Sequence, residues 1–420
     1  MPGTCKDYAH LAAQARNVLA KNRHQGRSSW GSRSFNFVCP SNVTYPFQWL
    51  WDSCFHAIVL THVDVGLAQQ ELLCLLQAAQ PDGFIPHMIL WEREKHLAEI
   101  VHYNIAMRDD YLTAISQPPV LAQAVERVYR AGKDDAFLGS VLPTTKAYYR
   151  WWIQHRDPDH DYLVAIIQPD ESGLDALPGY DALLKMPTLD RAGLDVAMKR
   201  LFAAYAPLRG DEARLLEADI FVIEDVMVNC IYAQGLRALA RLCRTAKELQ
   251  DAAEFDELAN KVEHAIVTKC YDESRGIFFD RCGAAEVPSG VITVTSLFPL
   301  ILDHLDPAIA KRLVEDHLHN PAEFWLPYPV PSVAATEPTF DPEGKTGLLW
   351  RGPTWTNTNW FLVGGLRQHG YGDLAAELID RTLAMVARGG IREYYSPYSG
   401  TGSGAPDFGW STLILDWLEE

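Results

Sequence analysis

An all-α toroid of paired helices is what this sequence predicts, and three observations carry that reading. Apolar residues return at three- and four-residue spacing through about twelve segments, the signature of amphipathic helices. Convincing alternating strands are few and short, the best being YLVAII at 162–167. The helical segments pair across short turns, with long irregular stretches between some of the pairs. An irregular multi-helix bundle is the alternative arrangement of the same elements.

The elements follow in order. The N-terminal MPGTCKDYAHLAAQARNVLAKNR reads as an amphipathic helix over 6–21, without the apolar core or cleavage site of a signal peptide. Helices at 52–62 and 65–80 come next, the second stopped by QPDG. The pairs 109–131 with 135–156 and 219–245 with 248–270 occupy the middle of the chain. Helices 294–304 and 306–319 meet at HLDPAIA, and 355–369 and 372–388 meet at RQHGYGD. Pro353 suits the start of the former of these, and 409–419 is the last helix. The connectors 22–51, 81–108, 157–185, 320–354 and 389–408 hold the Trp, Tyr, Gly, Pro, Asp and His. In a helical toroid such loops gather at one rim, where function is placed. No linker or low-complexity segment divides residues 1–420, so a single domain is expected.

Composition narrows the partners. With 48% hydrophobic and 22% charged residues the chain has an ample core and no tendency to disorder. A net charge of −17 opposes binding to a nucleic-acid backbone. No apolar run reaches the roughly 20 residues a membrane span needs. The eight cysteines are scattered without a CxxC pair, and Cys54, Cys74, Cys230 and Cys243 sit within apolar helical runs. Neither a disulfide framework nor a zinc site is expected, and the cytoplasm is the expected compartment. A homo-oligomer stays open.

Three connectors concentrate chemistry. QPDESGLDALPGYD (168–181) sets Asp170, Glu171, Asp175 and Asp181 among Gly, Pro and Ser, which suits either a solvated turn or a carboxylic acid held rigidly for proton donation. GGIREYYSPYSGTGSGAPDFGW (389–410) places Glu393 before two tyrosines and Asp407 at the end of a Gly-rich loop that lacks the lysine of a phosphate loop. LLWRGPTWTNTNW (348–360) carries Trp350, Arg351, Trp355, Asn357 and Asn359 around a helix start. Earlier, YPFQWLWDSCFHA (45–57) packs Tyr45, Trp49, Trp51 and Asp52 ahead of an apolar run. Sugars present apolar C–H faces that stack on aromatics and hydroxyls that bond to Asp, Asn, Gln and Arg. Glycosidic hydrolysis also needs two carboxyl groups flanking the bond. DPDHDY (157–162) opens like a calcium loop, but Tyr162 stands where that loop needs Gly and Gln168 where it needs Glu, so it reads as a turn.

FQWLWDSCFHA, GFIPH (83–87), SQPPVLAQAV (116–125), ESGLD (171–175), IEDVMVN (223–229), WRGPTWTNTN (350–359), EYYSPYSGTGSGA (393–405) and FGWSTLILD (408–416) occur in this order. Together they resemble glycoside hydrolase family 63, including compact bacterial members that hydrolyse mannosylglycerate or glucosylglycerate. The similarity runs from about residue 36 to the C-terminus. It implies an (α/α)6 barrel and inversion at the anomeric carbon, with Asp175 as general acid and Glu393 as general base. Tyr45, Trp49, Trp51, Asp52, Gln117 and Trp350 would line the sugar subsite. Two features depart from the family pattern: Asp170 stands where an aromatic is common before ESG, and Ala176-Leu177 replace Asn-Ser.

Some residues keep two readings. Glu171 suits bracing of the loop, Asp52 a helix cap or a sugar ligand, and Gln117 a cap of the next helix or a site residue. His87 is carried as a substrate-binding candidate, although a lone histidine is more often structural. Arg351 suits a substrate carboxylate such as glycerate or an acidic side chain within the barrel, and Asp407 is carried as a substrate contact.

The expected function is therefore inverting hydrolysis of a small α-glycoside, such as a glycosylglycerate, with no cofactor and no metal. An α-glucosidase acting on a disaccharide or oligosaccharide is an alternative. A sugar epimerase or isomerase, or a non-catalytic carbohydrate-binding protein, is another.

Overall fold

A ring of six helical elements encloses the centre of the molecule. In the computed structural model, which describes residues 8–97, 107–208 and 210–419, Leu50–Leu60 packs against Leu121–Gly132, and that helix against Val226–Thr245. The circuit continues through the 3₁₀ helix Val294–Ile301 and the helix Thr356–Gln368 to the turn Gly409–Leu413, which returns to Leu50–Leu60. An outer layer backs them: Val65–Leu76, Asp135–His155, Leu249–Ala265, Leu313–Leu318 and Gly372–Gly389, with Ala9–Lys21 behind the C-terminal turn and Ile414–Leu418. This is the (α/α)6 barrel the resemblance implied, and its sixth pair joins the two ends of the described chain.

Burial explains which helices lie inside. Every residue of Leu50–Leu60 is buried, and so is every residue of Val294–Ile301, as a helix apolar on all faces requires. Gly372–Gly389 instead buries Ala375, Leu378, Thr382, Leu383, Met385 and Val386, a single stripe facing inward. Aspartates start several of the helices: Asp64, Asp134 and Asp225 each accept backbone N–H bonds from the first turn.

Five sequence expectations change. The 109–131 helix begins only at Leu121, because Pro118 and Pro119 prevent helix before it. The 219–245 helix begins at Val226, with Asp225 as its cap and Ile223–Glu224 paired to Arg281–Cys282. YLVAII is not a strand: only Ile166 bridges, to Ile223. The connectors contain hairpins that the sequence did not announce, Arg23–Arg27 with Ser34–Val38 and Arg392–Tyr395 with Gly402–Pro406. A helix at Arg191–Tyr205 was also not anticipated, although Asp190 caps it and Leu194, Ala197, Met198, Leu201 and Tyr205 form its buried stripe. Cys5, the first residues of the 6–21 helix and 98–106 of the 81–108 connector lie outside the described residues.

Asp416, 3% exposed, ties the ring shut. It accepts bonds from His62 Nε2 (2.8 Å), Trp360 Nε1 (2.9 Å) and Arg127, which come from beyond the first inner helix, from the fifth and from the second. Burial pushes its carboxyl up, and the bonds from His62, Arg127 and Trp360 outweigh burial and hold it below the usual aspartate value. Its contribution is therefore complete above the unfolded-state value and lost as pH falls through the lower folded value. Asp416→Asn should lower unfolding free energy in urea by about 1.5–3 kcal/mol at pH 7. The difference from wild type should shrink in acid as Asp416 protonates.

Candidate active site

All five long connectors reach one cavity of about 550 Å³ at the barrel mouth. The inner helix Leu50–Leu60 starts there. Trp49 is its extended N-cap residue, and Trp51 and Asp52 sit in its first turn, so the backbone turns as it enters the helix and delivers all three side chains to the cavity. Asp52 makes no cap bond. It is 2% exposed, its Oδ1 meets no partner among the described residues, and burial drives its carboxyl well above the usual range. Such an oxygen is a ready acceptor for a ligand hydroxyl.

Around it the aromatics are locked to one another. Tyr45 meets Trp49 edge-on at 5.9 Å, Trp49 meets the His87 ring at 4.8 Å, and Trp51 meets Trp410 at 5.6 Å. His87 is fully buried, which lowers its pKa to about 3 and keeps it neutral. Its Nδ1 bonds Thr113 Oγ1 at 2.9 Å, leaving Nε2 without a partner among the described residues on the cavity side. Gln117 lines the cavity and also accepts from the Trp51 backbone N–H at 3.2 Å. Trp350 stacks on Trp355 with centroids 3.5 Å apart.

Asp175 hangs from a braced loop. Pro169–Ser172 form one 3₁₀ turn that ends at Gly173, whose φ of 71° lies in the left-handed region. A Cβ there would stand 2.5 Å from the Trp51 ring, so glycine alone permits the indole to lie against this turn. Glu171 points the other way, into a bidentate pair with fully buried Arg156 (2.7 and 2.8 Å), and accepts from the Ser116 and Ile167 N–H groups. Burial raises the carboxyls of Asp170 and Asp175 together, and each is further raised by a neighbouring charge, Asp175 beside Asp170 and Glu393 beside Asp175.

Glu393, 4% exposed, sits on the strand Arg392–Tyr395. Its Oε1 accepts from Tyr45 Oη at 3.1 Å and its Oε2 from the Ala405 N–H at 2.8 Å. Burial raises its carboxyl, and those two bonds only partly offset that. The side chains of Asp52, Asp175 and Glu393 thus face one aromatic chamber.

Two predicted substrate contacts are elsewhere. Arg351 forks onto Asp181 (2.8 and 2.5 Å) and donates to the Ala176 carbonyl, so its guanidinium clamps the loop carrying Asp175 and is absent from the cavity wall. Asp407 ion-pairs with Lys21 at the surface, and its carbonyl accepts from Asn22. Sequence reading missed Arg191, Leu194, Asp195 and Met198, which occupy one face of the Arg191–Tyr205 helix and form a cavity wall. The Asp190 cap and the buried stripe were the available signals.

One further acidic group lies apart from this chamber. Carboxylates of Asp157, Asp159 and Asp161, and of Asp161, Glu224 and Glu286, approach within 4.8 Å of each other. Lys269 pairs with Asp161 and, at 2.9 Å, with Glu286, while Asp157 accepts from the N–H groups of Asp161 and Tyr162. The DPDHDY segment is thus a turn with its own lysine counter-charge.

Residues 45–411 match the family described as the mannosylglycerate hydrolase MGH1-like glycoside hydrolase domain. The chain belongs to that family. It is a glycoside hydrolase. It is 33% identical over 412 residues to a mannosylglycerate hydrolase of Thermus thermophilus, covering 91% of this chain and 96% of that one. It is 26% identical to the glucosylglycerate hydrolase of Mycolicibacterium hassiacum, covering 90% and 92%. A crystal structure of a GH63 mannosylglycerate hydrolase from Thermus thermophilus in complex with Tris and D-glycerate superposes with a TM-score of 0.81 at 30% identity, covering 97% of this chain and all of the other.

The brace behind Asp175 is testable within this family scaffold. Glu171→Gln leaves the buried Arg156 guanidinium without its carboxylate and should destabilise the protein by about 3–5 kcal/mol in urea unfolding.

Proposed function

We propose that this glycoside hydrolase cleaves a small α-glycoside with inversion, using one catalytic domain that spans the chain. The observation that carries the reading is the pair of raised carboxyls, Asp175 and Glu393, on separate loops of one aromatic chamber at the barrel mouth. Its volume lies in the range of small-molecule sites, which favours a sugar with a short aglycone over a long glycan.

In this reading the sugar stacks among Trp49, Trp51 and Trp350, with hydroxyls bonded to Asp52, His87 Nε2 and Gln117. Asp175 gives its proton to the glycosidic oxygen as the C1–O bond breaks. Glu393 takes a proton from water as that oxygen bonds to C1 from the opposite face. The product sugar is the β-anomer, and both carboxyls return to their starting state by exchange with solvent. The Tyr45 hydroxyl and the Ala405 N–H hold the Glu393 carboxylate, so it can meet only one face of the sugar. Glycosylglycerates, the substrates named for the relatives, are the first compounds to try. The seven described cysteines are free, which supports a cytoplasmic location.

Proton NMR of the first-formed sugar tests the mechanism: β-sugar is expected from an α-glycoside, and α-sugar would overturn the inverting roles. Asp175→Asn and Glu393→Gln should each lower kcat on natural glycosides by ~10²–10⁴-fold. An α-glycosyl fluoride, whose leaving group needs no proton, should be turned over by Asp175→Asn and not by Glu393→Gln.

The pH profile has a worked sign. The acid must be protonated, so kcat/KM should fall as pH rises through the raised value of Asp175. That limb is expected near pH 6, since burial pushes the Asp175 carboxyl up to about 6. A falling limb near pH 4 would remove Asp175 from the role.

A further inference from the structure

A second cavity, of about 410 Å³, opens beside the turn that follows Arg156. Asp157, Asp159, Glu224 and Glu286 line it, together with His155 and Arg281. Two groups of carboxylates overlap there at Asp161, which lies within 4.8 Å of Asp157 and Asp159 and within 4.8 Å of Glu224 and Glu286. Against these five carboxylates stand Lys269 and Arg281. Lys269 pairs with Asp159 (3.8 Å), Asp161 and Glu286 (2.9 Å), and Arg281 donates to the Glu286 carbonyl at 3.4 Å. Neither hydrogen-bonds Glu224. That residue is 5% exposed, lines the cavity, and has no hydrogen-bond partner for Oε2 among the described residues. A buried carboxylate oxygen without a donor is costly until a cation meets it.

Loop pattern and fold each supply part of a ligand set. Asp157, Asp159 and Asp161 hold the first, third and fifth places of a calcium loop, whose final glutamate is replaced by Gln168. The fold brings two glutamates to the same place from distant segments. Glu224 comes from the strand Ile223–Glu224, and Glu286 from the turn between Arg281–Cys282 and Val287–Pro288. Asp157 spends both oxygens on the Asp161 and Tyr162 N–H groups, so it shapes the turn.

We propose that Asp159, Asp161, Glu224 and Glu286 bind a divalent cation, calcium in preference to magnesium, in competition with the Lys269 ammonium. Carboxylates from three separate segments suit the flexible shell of calcium better than the strict octahedron of magnesium. The Lys269 side chain is 29% exposed on a flexible stem, so its ammonium can turn to solvent as the ion enters. The ion joins the 157–161 turn to the strand of Glu224. Ile223 of that strand exchanges two backbone bonds with Ile166 (2.8 and 3.1 Å), just ahead of the Pro169–Ser172 turn. Calcium therefore stiffens the support of the Asp175 loop from outside the chamber.

Calorimetric titration and thermal unfolding of the EDTA-treated protein with calcium chloride, at constant ionic strength, test this. Wild type should bind one calcium ion with a Kd of ~10⁻⁵–10⁻³ M. Saturating calcium should raise Tm by ~3 °C or more over sodium chloride. Glu224→Gln and Asp159→Asn should each weaken calcium binding by ~10-fold or more, because each removes a charged ligand. Asp159 is exposed, so its variant reports on the site even where Glu224→Gln disturbs the fold. Lys269→Met should tighten binding severalfold by removing the competing charge.

Absence of both a calcium-dependent heat and a Tm shift in wild type would overturn the inference. Calcium binding left unchanged by all three variants would also overturn it, since the ion would then sit elsewhere.

Discussion

Closure of the inner ring is the constraint on which everything else here depends. Five of the six helical pairs are formed by segments adjacent in sequence, but the sixth joins Ala9–Lys21 to Gly409–Leu418. Until that pair docks, the first inner helix has an open flank and the cavity lacks the wall carrying Phe408 and Trp410. Asp416 secures this junction with a buried carboxylate that three other segments of the barrel satisfy. Such a carboxylate is stable only when all its partners arrive together, which couples ring closure to the positions of distant helices.

The chamber inherits its rigidity from the same logic applied to loops. Glu171 and Asp175 lie four residues apart in one short segment, yet they do opposite things. Glu171 is sunk into an ion pair with Arg156 and two backbone bonds, which fixes the loop from behind. Asp175 is thereby free of structural duty and faces the cavity with a raised carboxyl. Arg351 completes the support from the other side, through Asp181 and the Ala176 carbonyl. Positioning of this kind is what a proton donor needs, because a displaced acid loses rate steeply.

Electrostatics divide the chamber in two. The proposed sugar end joins a neutral histidine and a buried aspartate to aromatics packed edge-on, suited to hydroxyls and C–H faces. The other end carries the Arg191–Asp195 ion pair on a helix that is no part of the barrel ring, and the Asp170 carboxylate on the Pro169–Ser172 turn. That wall of the cavity lies on a segment between barrel helices, where substitution costs little stability.

The sequence by itself determined the helical class, the approximate place of most helices and the segments that meet at the mouth. Those features follow from local periodicity and from composition, which need no knowledge of distant residues. It also brought Tyr45, Trp49, Trp51, Asp52, His87, Gln117, Asp175, Trp350 and Glu393 forward, and these do line one cavity. Tertiary structure decided the rest. Arg351 and Asp407 sit in the same motifs yet find Asp181 and Lys21, because a long side chain takes whichever partner the fold sets beside it. Arg191 and Asp195 belong to no motif and enter the site only because their helix packs across the mouth. Which side chains share a cavity depends on the packing of segments far apart in the chain, and local pattern carries no record of that.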